Sequence, residues 1–515
     1  MALRKVKSTL ALALAATACV SVVAVSSAQA AAPIGAYKTQ GTWKFLSRPD
    51  LHPPKVAALK IGDLKKLAPG YFMVANFKNL TVKAPMVGQS GPLILDNRLQ
   101  PVWFGPVPTN VLAMNLSAQR YNGKPVLSWW QGVISPLGET LSGTDVVYSQ
   151  QYKRVAKLTG QDGWVISPHE MLISGHTAWV TAYKDERADL RSVGGSSTGL
   201  ISDSAIQEYD LKTGKLLKTW DALGHIPLTD SYASLPASPA IAWDAYHVNS
   251  INSVGGGKYL VSMRNTWAAY LIDTNTGNIE WTLGGKHSSF KFASGASFQW
   301  QHDVQLHKGN LVSVFDDACC AIGATIGPPS GPTRGLVLRL NTSAKTVTQA
   351  AQYTRGKKFN AAFLGNTDLL PNGNVTVGWG SQPFFSELSK TGKVLLDVAF
   401  PNPDVNYRTY VQRWTAAPSR GPNAVVRKGK HGALVFASWN GATQLAAWRV
   451  MAGSDAKHLA VVVSRQNKSG FETQIKLSST YKAYKVQALD SKGRVLRTSG
   501  LFPTAKPPST LPPGY

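Results

Sequence analysis

Apolar residues recur along this chain in short runs of period two, broken by polar pairs and glycine turns. Side chains alternate faces along a strand, so this spacing predicts β-strands joined by tight hairpins. One phrase consists of an apolar strand, a polar pair with a turn, and a second apolar strand. It stands at Leu93-Ile94-Leu95-Asp96-Asn97-Arg98 with Val102-Trp103-Phe104, at residues 209–214 with Trp220, and at residues 272–277 with Trp281. Weaker copies lie at 148–151, 338–342 and 388–392. A second phrase opens on a polar residue and ends on a Gly or Asn turn, at 169–175, 247–257, 302–310 and 366–373. Two hairpins per unit, repeating every ~50–65 residues, predict the four-stranded blades of a β-propeller. About six blades fit into residues 71–430. No amphipathic helix of ordinary length stands out.

The rest of the chain reads differently. Residues 431–502 hold short alternating strands around Trp439 and Trp448, as expected of a small β-sandwich of fibronectin type III style. Residues 503–515 are Pro-rich and are expected to be disordered. At the other end, Arg4, Lys5 and Lys7 precede an Ala/Leu/Val stretch and the small residues up to Ala30. Residues 1–30 therefore read as a secretory signal peptide, with an extension over 31–70 before the propeller. The expected class is all-β, secreted or in the cell envelope, with no stable membrane insertion.

Composition narrows the partners. The formal net charge is +26, with 54 Lys and Arg against 28 Asp and Glu. Such an excess attracts anionic substrates or anionic cell-envelope polymers. The basic residues are spread evenly and form no recognised module, so nucleic acid is not an expected partner. Past residue 30 only Cys319 and Cys320 remain, adjacent to each other. They make no disulfide framework, though a vicinal disulfide and two buried thiols are both open.

In a propeller the innermost strands line one channel, so the residues opening them converge from distant parts of the chain. Those openings hold His169, His247, His302 and Asn366. Asn249 shares the face of His247; Arg264 and Asn265 end the next strand; Asp316 and Asp317 end the strand after His302. Glu170 and Asp303 alternate to the other face, where structural bonds are expected. Imidazoles and arginine in a basic protein suit a tetrahedral anion, because guanidinium offers a fork of donors and imidazole serves as donor, base or nucleophile. Trp243, Trp267, Trp300, Trp379 and Trp414 are candidate walls for a flat substrate. No cofactor is expected. A metal is the rival use of clustered histidines, since convergent blades do not need the short spacing of a zinc site that is missing here, and calcium at Asp316 and Asp317 is one form of that alternative.

Several of these phrases resemble the arylsulfotransferase (ASST) family. They are Asp244-Ala245-Tyr246-His247-Val248-Asn249, Leu260-Val261-Ser262-Met263-Arg264-Asn265, Gln301-His302-Asp303, Phe315-Asp316-Asp317 and Tyr407-Arg408. The run Ser438-Trp439-Asn440-Gly441-Ala442-Thr443 resembles the tail of the actinobacterial-type branch. The resemblance implies a six-bladed propeller moving a sulfuryl group from a phenolic sulfate to a phenol, without a nucleotide, through a sulfo-histidine. It implies that His247 and His302 bind and polarise the sulfate and that Arg264 or Arg408 neutralises its oxygens. Tyr407 and Trp379 join the expected substrate-binding set. The stretch matching the family's late-blade carrier, Val377-Gly378-Trp379-Gly380-Ser381-Gln382-Pro383, holds no histidine. Either another His, such as His169, carries the group, or transfer is direct, or the protein is a non-catalytic binding propeller.

Overall fold

The computed structural model describes residues 41–136, 138–318, 331–429 and 431–502. The leader, Cys319, Cys320 and the Pro-rich tail lie outside the described residues. Six antiparallel sheets follow one another along the chain, each running from an inner to an outer strand. Blade 2 is Leu112–Tyr121, Lys124–Ile134, Thr140–Ser149 and Arg154–Thr159. Blade 3 runs from Val165–Ser174 through Thr177–Ala188 and Gly199–Asp210 to Leu216–Asp221. Blade 4 begins with Val248–Gly255 and Lys258–Met263, and ends with Ala268–Asp273 and Ile279–Gly284. Blade 5 comprises His302–His307, Leu311–Asp316, Arg334–Asn341 and Thr346–Thr354. Blade 6 comprises Asn366–Leu369, Val375–Gly378, Phe384–Leu388 and Val394–Ala399, with Ala57–Ile61 added at its outer edge.

Blade 1 is assembled from both ends of the propeller. Its strands Tyr71–Lys78, Gly91–Leu95 and Pro101–Phe104 take their inner edge from Asp404–Asn406 and Tyr410–Gln412. Alternation then does the packing. Phe72 and Val74 face blade 6, where they meet Phe385 and Val398. Met73 and Ala75 face blade 2, where they meet Leu127 and Trp129. Equivalent apolar cores join blade 2 to 3, 3 to 4, 4 to 5 and 5 to 6. The six copies of the first sequence phrase are the outer hairpins of the six blades. Their turn chemistry is local: Asp210 Oδ1 accepts from Thr213 N at 2.7 Å, and Gly214 takes the left-handed φ of 72° that closes the turn.

A second unit follows. Asn423–Gly429, Gly432–Ser438 and Glu472–Leu477 form one sheet; Leu459–Asn467, Ala447–Gly453, Ala483–Leu489 and Val495–Thr498 form another. Val435 and Ile475 of the first sheet meet Trp448, Tyr484 and Val486 of the second in one core. Its first strand precedes the boundary expected at residue 430. It docks on blade 1, where Asn440 exchanges hydrogen bonds with the Phe104 backbone at 3.0 and 2.8 Å. No helix among the described residues is long and apolar enough to cross a membrane.

Candidate active site

Four inner strands are irregular where they approach the axis. The register slips between Met114 and Ser117, opposite residues 166–171, between Val248 and Ser250, and between His302 and Gln305. Asn115, His247 and Asp303 there have φ of 60°, 58° and 53°. Such bulges bend a strand and re-aim its side chains, and a left-handed non-glycine residue is strain held by its surroundings. The effect is to turn three imidazoles onto one point.

His169, His247 and His302 each present a ring nitrogen within 4.8 Å of the others. Their ring centroids are 5.1 Å (His169–His247), 6.0 Å (His169–His302) and 6.1 Å (His247–His302) apart. Each ring is held differently. His247 Nδ1 lies 2.5 Å from Asp244 Oδ2. His302 Nδ1 lies 2.8 Å from Asp317 Oδ2, while its Nε2 accepts from the Leu364 N–H at 3.3 Å. An Nε2 that accepts leaves Nδ1 as the N–H of the neutral ring, so His302 donates to Asp317. His169 Nδ1 sits 3.2 Å from Ser167 Oγ and 3.4 Å from Tyr183 Oη. His302 and His169 are buried, whereas the His247 side chain is 22% exposed. His247 is thus the face that a solute meets.

Burial, reinforced by His247 and by the Arg408 and Arg264 charges, pushes the His169 imidazole well below its ordinary pKa. Burial does the same to His302, helped by His169, Arg264, His247 and Arg408. Both rings are neutral at pH 7. Burial pushes the Asp317 carboxyl up, and the Arg264 charge opposes it.

Arg264 lies against the cluster, bonded to Asn265 Oδ1 at 3.0 Å and Ala362 O at 3.2 Å, with its guanidinium 4.8 Å above the Trp300 ring. Trp267 stands edge-on to Trp300 at 5.3 Å and stacks on Tyr232 at 3.6 Å. Asn265 braces the Asp244 backbone at 2.6 Å. Asn249 Nδ2 donates to Gln301 O at 2.8 Å and its Oδ1 has no partner among the described residues. The Tyr407 ring lies edge-on to His169 at 5.6 Å and to His302 at 6.2 Å.

Of the expected residues, Arg408 lies beside the cluster but is already engaged, and Asp316, Trp379, Trp243 and Trp414 lie elsewhere. Arg408 does not offer a free fork to an anion: it is fully buried, bonded to Glu170 Oε2 and Asn249 O at 2.7 Å each, with Asp303 Oδ1 at 3.4 Å. Glu170 and Asp303 hold that guanidinium, as their other-face placement leads one to expect. Asp316 turns away to Arg334, 2.9 Å distant, because alternation at the strand end gives the histidine to Asp317 instead. Trp379 is packed with Phe315 and Phe359 between blades 5 and 6, its Nε1 bonded to Ser386. The glycine-rich stretch around it follows the second strand of blade 6, not the inner one. Trp243 and Trp414 are likewise buried, bonded to Ala233 O and Tyr152 Oη.

Asp244 and Tyr183 are not singled out from sequence as site residues, and Asp317 is read there only together with Asp316, as ending the strand after His302. Asp244 had a usable signal, a carboxylate three positions before a histidine; Tyr183, on the second strand of blade 3, had none.

No curated relative of the chain is found. Among solved structures, a protein of unknown function from Bacteroides caccae is 13% identical over 66% of this chain and 98% of that one, with a TM-score of 0.38. The Dos1 propeller is 10% identical over 74% and 84%, TM-score 0.30. The quinohemoprotein alcohol dehydrogenase from Comamonas testosteroni is 11% identical over 78% and 77%, TM-score 0.30. At such scores none bears on function. The family model for arylsulfotransferase (ASST) matches residues 117–401, from the inner strand of blade 2 to the end of blade 6 and across all three histidines, and the chain belongs to that family.

Proposed function

We propose that this protein acts outside the cytoplasm and moves a sulfuryl group from an aryl sulfate to a phenol through His247, without a nucleotide. The carrying observation is the pairing of Asp244 with His247 in the one histidine of the cluster that is open to solutes. A carboxylate on Nδ1 fixes the tautomer that leaves the Nε2 lone pair free. Nε2 has no hydrogen-bond partner among the described residues. In the first step Nε2 attacks sulfur, the sulfur–aryl oxygen bond breaks, and the phenolate leaves and takes up a proton. In the second, the acceptor phenol oxygen attacks sulfur, its proton is lost to solvent, and the nitrogen–sulfur bond returns its electron pair to the ring. Arg264 supplies positive charge beside the transferring group. His169 and His302, neutral when the site is empty, favour protonation once an anion sits among them. The missing late-blade histidine is on this reading replaced by His247 rather than by the more buried His169.

The aryl ring is assigned to the half-buried Trp267 and Tyr232 stack beyond Arg264, with the buried Trp300 behind it. Export is supported by the basic and apolar pattern of residues 1–30, and the +26 charge suits anionic surroundings. The test is transfer from a chromogenic aryl sulfate to a phenol by wild type and by His247→Ala, matched for circular dichroism. The variant should lose at least ~10³-fold in rate. An unchanged rate would refute the assignment, and wild type inactive across several donor–acceptor pairs would leave the binding-propeller reading in its place.

A further inference from the structure

We propose that His169, His247 and His302 also bind one divalent transition-metal ion of the zinc class, and that the bound ion closes the site to sulfate esters. The binding half stands without the transferase reading; the blocking half rests on it. Three imidazoles converging from three blades are the ligand set that zinc takes at sites with one open position. The ring nitrogens lie within 4.8 Å of one another. Tetrahedral zinc at ~2.0–2.1 Å from each nitrogen needs them about 3.4 Å apart. Closing that gap takes small rotations of the rings.

The surroundings are those of a metal site. A ligating histidine ordinarily gives its other N–H to a carboxylate, which orients the ring and raises its basicity. Asp244 does this for His247 and Asp317 for His302. Asp317 Oδ1 is buried without a hydrogen-bond partner among the described residues. Arg264 and Arg408 oppose a cation here, but Glu170 and Asp303 already engage Arg408. The Leu364 N–H must give up its bond to His302 Nε2, a contact of 3.3 Å. The fourth position would open past His247, the exposed member. An ion there takes the Nε2 lone pair that the sulfuryl group needs.

Untagged full-length protein, stripped with chelator, is titrated with Co(II) by visible absorption and with Zn(II) by calorimetry. One equivalent is expected, with an intense tetrahedral cobalt band. His247→Ala should weaken binding at least 10-fold and Asp244→Asn by ~10–100-fold, while His287→Ala, an exposed histidine outside the cluster, should match wild type. Binding unchanged in both His247→Ala and Asp244→Asn, or no one-equivalent event, would overturn the site. Should His247→Ala not fold, Asp244→Asn and Co(II) spectra of wild type decide it. Zinc should inhibit aryl transfer at the concentration at which calorimetry shows binding; saturation without inhibition overturns the blocking half alone.

Discussion

At the scale of single residues, the site works by committing one nitrogen of each ring so that the other is defined. Asp244 is a positioning residue: it touches His247, not the transferring group. In Asp244→Asn the amide presents either a donor or an acceptor to Nδ1, so the tautomer is no longer fixed. Turnover should fall by ~10²–10⁴-fold with little change in KM, and the sulfated intermediate should build up more slowly in a rapid-quench experiment. Equal loss of KM and kcat would point to a structural role instead. Acid–base balance within the channel gives a second prediction. Burial, with Asp303 beside it, pushes the Asp368 carboxyl up to about 7, from 3.8 in the unfolded chain. The fold therefore holds a proton that the unfolded chain releases. The stability this supplies is full below about pH 3.8 and is lost as pH rises to about 7. His169 and His302 run the other way, since their depressed values withdraw stability as pH falls below the ordinary 6.5. Asp368→Asn should raise Tm by about 2–5 °C at pH 8 and leave it unchanged at pH 4, read by thermal melts. The same shift at both pH values would contradict the burial argument.

At the scale of elements, the inner strands matter for where they break pattern. The histidines were legible because each opens the same hairpin phrase, and propeller geometry brings such openings together. The bulges that aim them were not legible, because a one-residue slip leaves the apolar alternation on either side intact. The same one-residue ambiguity explains Asp316 and Asp317: adjacent identical side chains face opposite ways, and only the sheet's register decides which meets His302. Arg408 shows a different limit. An arginine near an expected anion site invites the reading of an anion ligand, yet its neighbours in space come from blades 3, 4 and 5, far away in sequence. It ties the closing strand to three other inner strands. Arg408→Met would leave Glu170 and Asp303 buried together without their cation. The expected cost is about 3–5 kcal/mol of stability, measured by denaturant unfolding. A stable variant that had merely lost substrate affinity would restore the anion-ligand reading.

At the scale of the whole molecule, ring closure makes the site. His169, His247 and His302 belong to three blades, and their convergence needs all six to be held in register by the cores between them. The spacing fitted about six blades, but counting alone did not distinguish six from five or seven. The outer hairpins were readable from repeated turns. The closing strand Asp404–Asn406 was not, because its partner is the Tyr71–Lys78 strand more than three hundred residues earlier. A chain ending at Phe400 would keep His169, His247 and His302 but lose the inner edge of blade 1, the Arg408 tie and the second unit. It should show no cooperative melt and no transfer; a well-folded, active product would mean that closure is dispensable. The reaction itself is tested most directly by mass spectrometry of peptides after brief incubation with an aryl sulfate. A sulfuryl mass on the peptide bearing His247, discharged by added phenol and absent from His247→Ala, is the predicted result. The same mass on another residue, or transfer by His247→Ala, would contradict it.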